Sequence, residues 1–92
     1  MKTYTKESGE ILLENLKGWE FKDNGIEKQF KFKNFNQALG FIVQMGVLAE
    51  KMNHHPELFN VYSKVNIRLT THDSGGVTDK DFELASQIES LF

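Results

Sequence analysis

The chain contains no cysteine, which excludes disulfides and thiolate metal sites. That absence fits a reducing compartment, and a cytoplasmic location is expected. Long hydrophobic runs are missing as well. No stretch approaches the ~18 apolar residues a membrane span needs, and the polar opening segment Met1 to Glu7 lacks the apolar stretch of a secretory signal. A soluble intracellular protein with no membrane partner is therefore expected. Charge of one sign is also scarce: eleven basic against thirteen acidic residues give a formal charge of −2. No block of like charge stands out, and nucleic-acid binding, which uses a clustered basic surface, is not expected.

What is present suits one small domain. A length of 92 residues argues for a single unit spanning 1–92, and 39% hydrophobic residues with eight phenylalanines supply one modest core. A chain this short buries a smaller share of its surface than a large domain does, which gives it reason to oligomerise.

Periodicity divides the chain. Ser8 to Leu16 reads as a short helix whose apolar side is Ile11, Leu12, Leu13 and Leu16, ended by Lys17-Gly18. Trp19 and Phe21 then alternate with charged residues. Asp23-Asn24-Gly25 is a turn signal, because Asn and Gly tolerate positive φ. Beyond it Ile26, Lys28, Phe30 and Phe32 share one parity and Glu27, Gln29, Lys31 and Lys33 the other. This predicts a β-hairpin in a sheet covered on one side. Ala38, Phe41, Ile42, Met45, Leu48, Ala49 and Met52 form the stripe of a long amphipathic helix. Asn34 is its expected N-cap, Gln37 stands at the capping-box position, and Pro56 is expected to stop it at or just before His55. Val61, Val65, Ile67 and Leu69 alternate with Tyr62, Lys64, Asn66 and Arg68, predicting a strand. A fourth strand is expected at Phe59 to Ser63 or nearer the first hairpin. After the loop Asp73 to Gly76, Thr78 reads as the N-cap of a last helix with Phe82, Leu84, Ala85, Ile88, Leu91 and Phe92 on its apolar side. The order predicts an α+β domain with helices on one face of a mostly antiparallel sheet.

All three histidines, His54, His55 and His72, fall between residues 54 and 72. Imidazole gives and takes protons near neutral pH, as general acid–base catalysis requires. His54 and His55 lie where the long helix ends, and His72 lies just past the alternating strand. On straight-strand parity His72 shares a side with Tyr62. Each residue also has a plainer reading. A His-His pair before Pro can be a solvated helix end favoured by the dipole. Glu50, four residues before His54, is an ordinary helix neighbour. Asp81 at the third helical position can cap Thr78 as well as serve chemistry. Zinc is not expected: adjacent histidines diverge, the spacing is not His-Glu-x-x-His, and no cysteine is available. No Ser or Thr stands with a recognisable His and Asp set for nucleophilic catalysis.

The run Glu50-Lys51-Met52-Asn53-His54-His55-Pro56-Glu57-Leu58-Phe59-Asn60-Val61-Tyr62 resembles the core of pterin-4a-carbinolamine dehydratases. In that family an acidic residue is followed by three others and then His-His-Pro, an aromatic follows the Pro by six, a His follows ten later, and an Asp lies beyond a Gly-containing loop. Glu50, His54, His55, Pro56, Tyr62, His72 and Asp81 fill those places. Lys28 to Phe35, Ala38-Leu39-Gly40-Phe41 and Thr70-Thr71-His72 followed by Gly75-Gly76 are similar too, so the likeness runs over residues 8 to 92. Leu58 departs from it, standing where many members carry Trp.

The resemblance implies a four-stranded antiparallel sheet with three helices packed on one face. It implies dehydration of 4a-hydroxytetrahydropterin to quinonoid dihydropterin, regenerating pterin for aromatic amino-acid hydroxylases, with no cofactor and no metal. His54 and His72 would be acid and base, and His55 would hold the pterin and contribute to transfer. Glu50 and Asp81 would orient imidazoles or raise their basicity, Pro56 would shape the helix end, and Tyr62 would back the pocket. Members are commonly dimers or tetramers, so a homodimer or homotetramer is implied. One member doubles as a transcriptional coactivator, which leaves a non-catalytic dimerisation module as the alternative.

Overall fold

A computed structural model describes residues 1–92. Along the chain run α1 (Lys6–Leu13), β1 (Glu20–Lys22), β2 (Gly25–Lys31), α2 (Phe35–Met52), β3 (Glu57–Val61), β4 (Lys64–Leu69), a 3₁₀ turn (His72–Ser74) and α3 (Asp79–Leu91). The four strands form one antiparallel sheet in the order β1-β2-β4-β3. The α+β architecture with three helices on one sheet face is as expected.

Helix α1 begins earlier than Ser8. Thr5 is its N-cap, and Thr5 and Ser8 exchange side-chain and backbone hydrogen bonds in a capping box. Its apolar side is also narrower than the pattern suggested. Leu13 and Leu16 are buried, whereas Ile11 and Leu12 are exposed. The helix meets the sheet through Gly9, where a Cβ would stand 2.6 Å from the Phe21 ring.

The first hairpin closes as predicted. Lys22 pairs with Gly25, leaving Asp23 and Asn24 as a two-residue loop with φ of 49° and 61°. Asn and Asp accept that left-handed conformation, and its twist suits the flanking strands. Ile26 and Phe30 then point into the core. Lys28, on the same face, lies over the Phe30 ring and places its ammonium 2.6 Å from Glu89 Oε2. Trp19 Nε1 donates to the same oxygen at 2.9 Å, which fastens the end of α3 to the hairpin.

Asn34 caps α2 by accepting from the Gln37 N–H at 2.9 Å. Gln37 reaches back to the Lys33 N–H rather than to Asn34, so the expected capping box is displaced by one residue. The end of α2 needs a larger correction. It stops at Met52, and Asn53 takes φ 51°. The His54 N–H bonds to the Ala49 carbonyl and the Asn53 N–H to that of Glu50, the two bonds of a Schellman motif. Asn53 ends the helix, and Pro56 leads into β3.

The predicted strand from Val61 to Leu69 is a hairpin. Val61 pairs with Lys64, Tyr62 turns the chain with φ 50°, and Asn60 Nδ2 bonds the carbonyls of Tyr62 and Lys64. Paired residues share a face, so parity switches across a two-residue loop. Val61 therefore lies with Lys64 on the open face and is exposed, while Val65, Ile67 and Leu69 are fully buried. Ala38, Phe41, Met45 and Ala49 of α2 and Phe82, Leu84, Ala85 and Ile88 of α3 complete the core. Burying a side chain such as Phe30 stabilises the fold by about 1.5–3 kcal/mol. No helix is long and apolar enough to cross a membrane.

Candidate active site

The end of α2, the end of β4 and the start of α3 meet at one end of the sheet. The Schellman turn at Asn53 directs His54 inward, leaving it 8% exposed. Its Nε2 lies 2.5 Å from Asp81 Oδ1. Asp81 is fully buried, and its second oxygen is also occupied. Oδ2 accepts the Thr78 N–H at 2.8 Å and the Thr71 hydroxyl at 2.9 Å. The two readings of Asp81 are therefore compatible, because one oxygen closes the α3 capping box while the other faces His54. Thr71 immediately precedes His72, so its bond to Asp81 brings the His72 turn beside His54.

The other two histidines are exposed. His55 Nε2 lies 2.6 Å from Glu50 Oε1. Glu50 thus pairs with His55 and not with its expected helix neighbour His54, because the left-handed turn at Asn53 breaks the four-residue spacing. His72 Nε2 stands 3.7 Å from Glu57 Oε2, and Glu57 also approaches Arg68. Each imidazole therefore has its own carboxylate. None of these carboxylates serves two imidazoles, and no three His, Asp or Glu side chains converge as a metal-binding group.

Tyr62 is not part of this cluster within one chain. It sits in the β3–β4 loop at the far end of β4 from His72 and is exposed, so it neither shares a strand side with His72 nor backs the histidines. Pro56 does lie between His55 and Glu57, and it sets the path that carries Glu57 toward His72. Leu58, on edge strand β3, is partly exposed. A concavity of about 610 Å³ lies elsewhere, on the open sheet face, lined in part by Glu27, Gln29, Phe59, Asn66 and Arg68. Glu57 also lines it and so links that face to His72.

Three contributors escaped the sequence reading. Glu57 follows Pro56 with nothing in its spacing to single it out. Thr71 looks like any strand-end threonine, although a polar residue directly before His72 was a usable signal. Asn53 between Met52 and His54 carried the left-handed cap signal, which Pro56 overshadowed.

The start of α3 is braced from outside as well. The Tyr4 N–H donates to the Val77 carbonyl at 2.8 Å, its hydroxyl donates to Asp79, and its ring meets Phe82 edge-on. The bond to the Asp79 carboxylate, with smaller contributions from desolvation and the nearby negative charge, raises the phenol above its ordinary value.

The family model described as pterin 4 alpha carbinolamine dehydratase matches residues 2–91. A protein of Rhizobium johnstonii, provisionally named pterin-4-alpha-carbinolamine dehydratase, is 54% identical over 82 residues, covering 87% of this chain and 81% of that one. A protein of Prochlorococcus marinus with the same provisional name is 44% identical and covers 100% of this chain and 98% of its own. The crystal structure of a transcriptional coactivator/pterin dehydratase from Brucella melitensis superposes with a TM-score of 0.91 at 38% identity, covering 97% of both chains. With nearly its whole length matched, this chain belongs to the pterin-4a-carbinolamine dehydratase family.

Proposed function

We propose that the chain dehydrates 4a-hydroxytetrahydropterin to quinonoid dihydropterin by histidine acid–base catalysis. The supporting observation is the meeting of His54, His55 and His72 at one end of the sheet, each beside a carboxylate. The reaction needs a proton delivered to the departing 4a-hydroxyl and a proton removed from N5. The C4a–O bond breaks, the N5–H electrons form the C4a=N5 bond, and water leaves. No redox change occurs, and imidazole suits both transfers. His54 and His72 are assigned the acid and base roles, with His55 holding the pterin and sharing in transfer. Glu50 and Asp81 orient imidazoles.

A cytoplasmic homo-oligomer that recycles pterin for an aromatic amino-acid hydroxylase belongs to the same proposal. Helix α2 leaves Leu39, Val43 and Val47 exposed at a spacing of four, which supports self-association through that helix. The same apolar row favours the second reading, a dimerisation module without catalysis.

A stopped-flow assay separates the two. Quinonoid dihydropterin formation from 4a-hydroxytetrahydropterin is followed with wild type, His54→Ala, His72→Ala and the double variant. Wild type should accelerate the step, and each single change should lower turnover by about a hundredfold to ten-thousandfold. A double variant working at the wild-type rate would overturn the residue assignment. A wild type that leaves the spontaneous rate unchanged would favour the module reading.

A further inference from the structure

We infer that Thr71 is a positioning residue of the site, holding Asp81 so that His54 keeps its proton on Nε2 and presents Nδ1 to the substrate. The inference rests on the reading of His54 as a proton-transfer group.

The geometry of one buried cluster carries it. Thr71, Thr78 and Asp81 are 7%, 0% and 0% exposed, so each polar atom must find its partner within the protein. Thr71 Oγ1 lies 2.9 Å from Asp81 Oδ2 and 2.7 Å from Thr78 Oγ1. Thr78 Oγ1 in turn accepts the Lys80 N–H at 3.3 Å. Each hydroxyl has one proton to give. With the Thr71 proton on the carboxylate, the Thr78 proton must go to Thr71. The chain then runs one way, from Thr78 through Thr71 to Asp81.

That direction has a consequence for His54. Oδ2 already receives two donors, the Thr71 hydroxyl and the Thr78 N–H, an arrangement that suits an acceptor-only carboxylate. Oδ1 then accepts as well, and the 2.5 Å contact requires Nε2 to be the donor. In the neutral ring Nδ1 is left as the free acceptor. No buried side-chain nitrogen or oxygen lacks a partner, and the hydrogen bond of the His54 ring is made through Nε2. Nδ1, which has no partner in the protein, is thus not fully buried and is left open to a substrate.

The backbone of Thr71 makes the hydroxyl a fixed point. Its N–H bonds the Gly76 carbonyl at 2.9 Å, and its carbonyl accepts from the Gly76 N–H at 3.3 Å. Thr71 therefore anchors the turn that carries His72 and, through Asp81, sets the ring of His54. One residue ties the two proposed proton-transfer groups together without touching the substrate.

The test uses ¹⁵N-labelled, ligand-free protein. Long-range ¹H–¹⁵N correlation reads the neutral tautomer of His54 in wild type, Thr71→Ser and Thr71→Val, and the dehydration assay is run on the same samples. Wild type and Thr71→Ser should carry the proton on Nε2. Thr71→Val keeps the shape but removes the hydroxyl, and should populate the Nδ1–H form. Its kcat should fall about tenfold, less than the ~100-fold expected of an ångström's misplacement, with KM unchanged. Thr71→Ser should restore kcat. If Thr71→Val does not fold, Thr71→Ala replaces it. A wild-type His54 protonated on Nδ1 would overturn the inference, as would a hydroxyl-free variant matching wild type in tautomer and kcat. A wild type without dehydratase activity would remove the proposed function, yet the tautomer comparison would still decide the role of Thr71.

Discussion

His54 and His55 are chain neighbours, and each meets a carboxylate at nearly the same distance, 2.5 Å to Asp81 and 2.6 Å to Glu50. Their surroundings differ completely. The His54 and Asp81 side chains are 9% and 0% exposed, against 56% and 80% for His55 and Glu50. Water screens the second pair, and two mobile side chains must be ordered to make it, so its net contribution is within about 1 kcal/mol. In the first pair solvent cannot replace a lost partner, and breaking it costs several times more. Short distance alone therefore says little about importance. One half of the site is built into the fold, and the other half remains free to adapt when a ligand arrives.

Asp81→Asn should break this comparison most strongly. The amide matches the carboxylate in shape but carries two N–H donors on one side. Turned toward Oδ2's partners, it faces the Thr78 N–H and the Thr71 hydroxyl; turned toward Oδ1's, it faces His54 Nε2. One donor is set against another either way. Chemical denaturation should show a loss of about 3–5 kcal/mol, the range for breaking a buried pair. Loss of the buried acceptor should also lower turnover. His54→Ala leaves both Oδ2 donors and the α3 cap in place, so it should cost less stability than Asp81→Asn. Equal losses would mean that the cap contributes nothing.

Glu50→Gln is the matching change in the exposed pair. Stability should move by no more than about 0.5 kcal/mol, as for a surface ion pair, and turnover should fall less than in Asp81→Asn. Glu57→Gln beside His72 should behave alike, since both partners there are also more than half exposed. A drop in stability comparable to that of Asp81→Asn would show that the exposed pairs are as structural as the buried one.

This division was only partly legible in the sequence. The helical stripe from Ala38 to Met52 and the Asp23-Asn24 turn were readable because period and turn chemistry are local. The β3–β4 turn was not, because Tyr62 takes a left-handed φ without being Gly, Asn or Asp and the apolar alternation runs on through the loop. Placing Tyr62 beside the histidines failed for that reason. The set of Glu50, His54, His55, His72 and Asp81 was legible as a spacing, but which carboxylate lies beside which imidazole was not. Asn53 decides that by ending α2 early, turning His54 inward and leaving Glu50 to His55. Thr71 acquires a role only when β4 and α3 are brought together, which no local pattern reports.

The smallest effect expected lies on the same turn of α3, where Asp81 is buried and Asp79, two residues earlier, holds the Tyr4 hydroxyl at the surface. Tyr4→Phe keeps the ring against Phe82, whose centroid lies 5.0 Å away, and removes only the exposed hydrogen bond. Near neutral pH the two proteins should differ little in Tm. The sign of the pH dependence follows from the raised phenol. The folded state retains the proton to higher pH than the unfolded chain does. The stabilisation is thus fully present below the ordinary tyrosine value near 10 and is lost as pH rises through the higher folded value. The two proteins differ only at this hydroxyl, so the difference in Tm between wild type and Tyr4→Phe isolates Tyr4. That difference should be small and constant up to about pH 9 and should shrink, or change sign, above the ordinary tyrosine value near 10. A difference that stays flat across the alkaline range would show that the Asp79 bond does not hold the start of α3, leaving its bracing to the Tyr4 backbone bond, the ring contact with Phe82 and the buried cluster around Asp81.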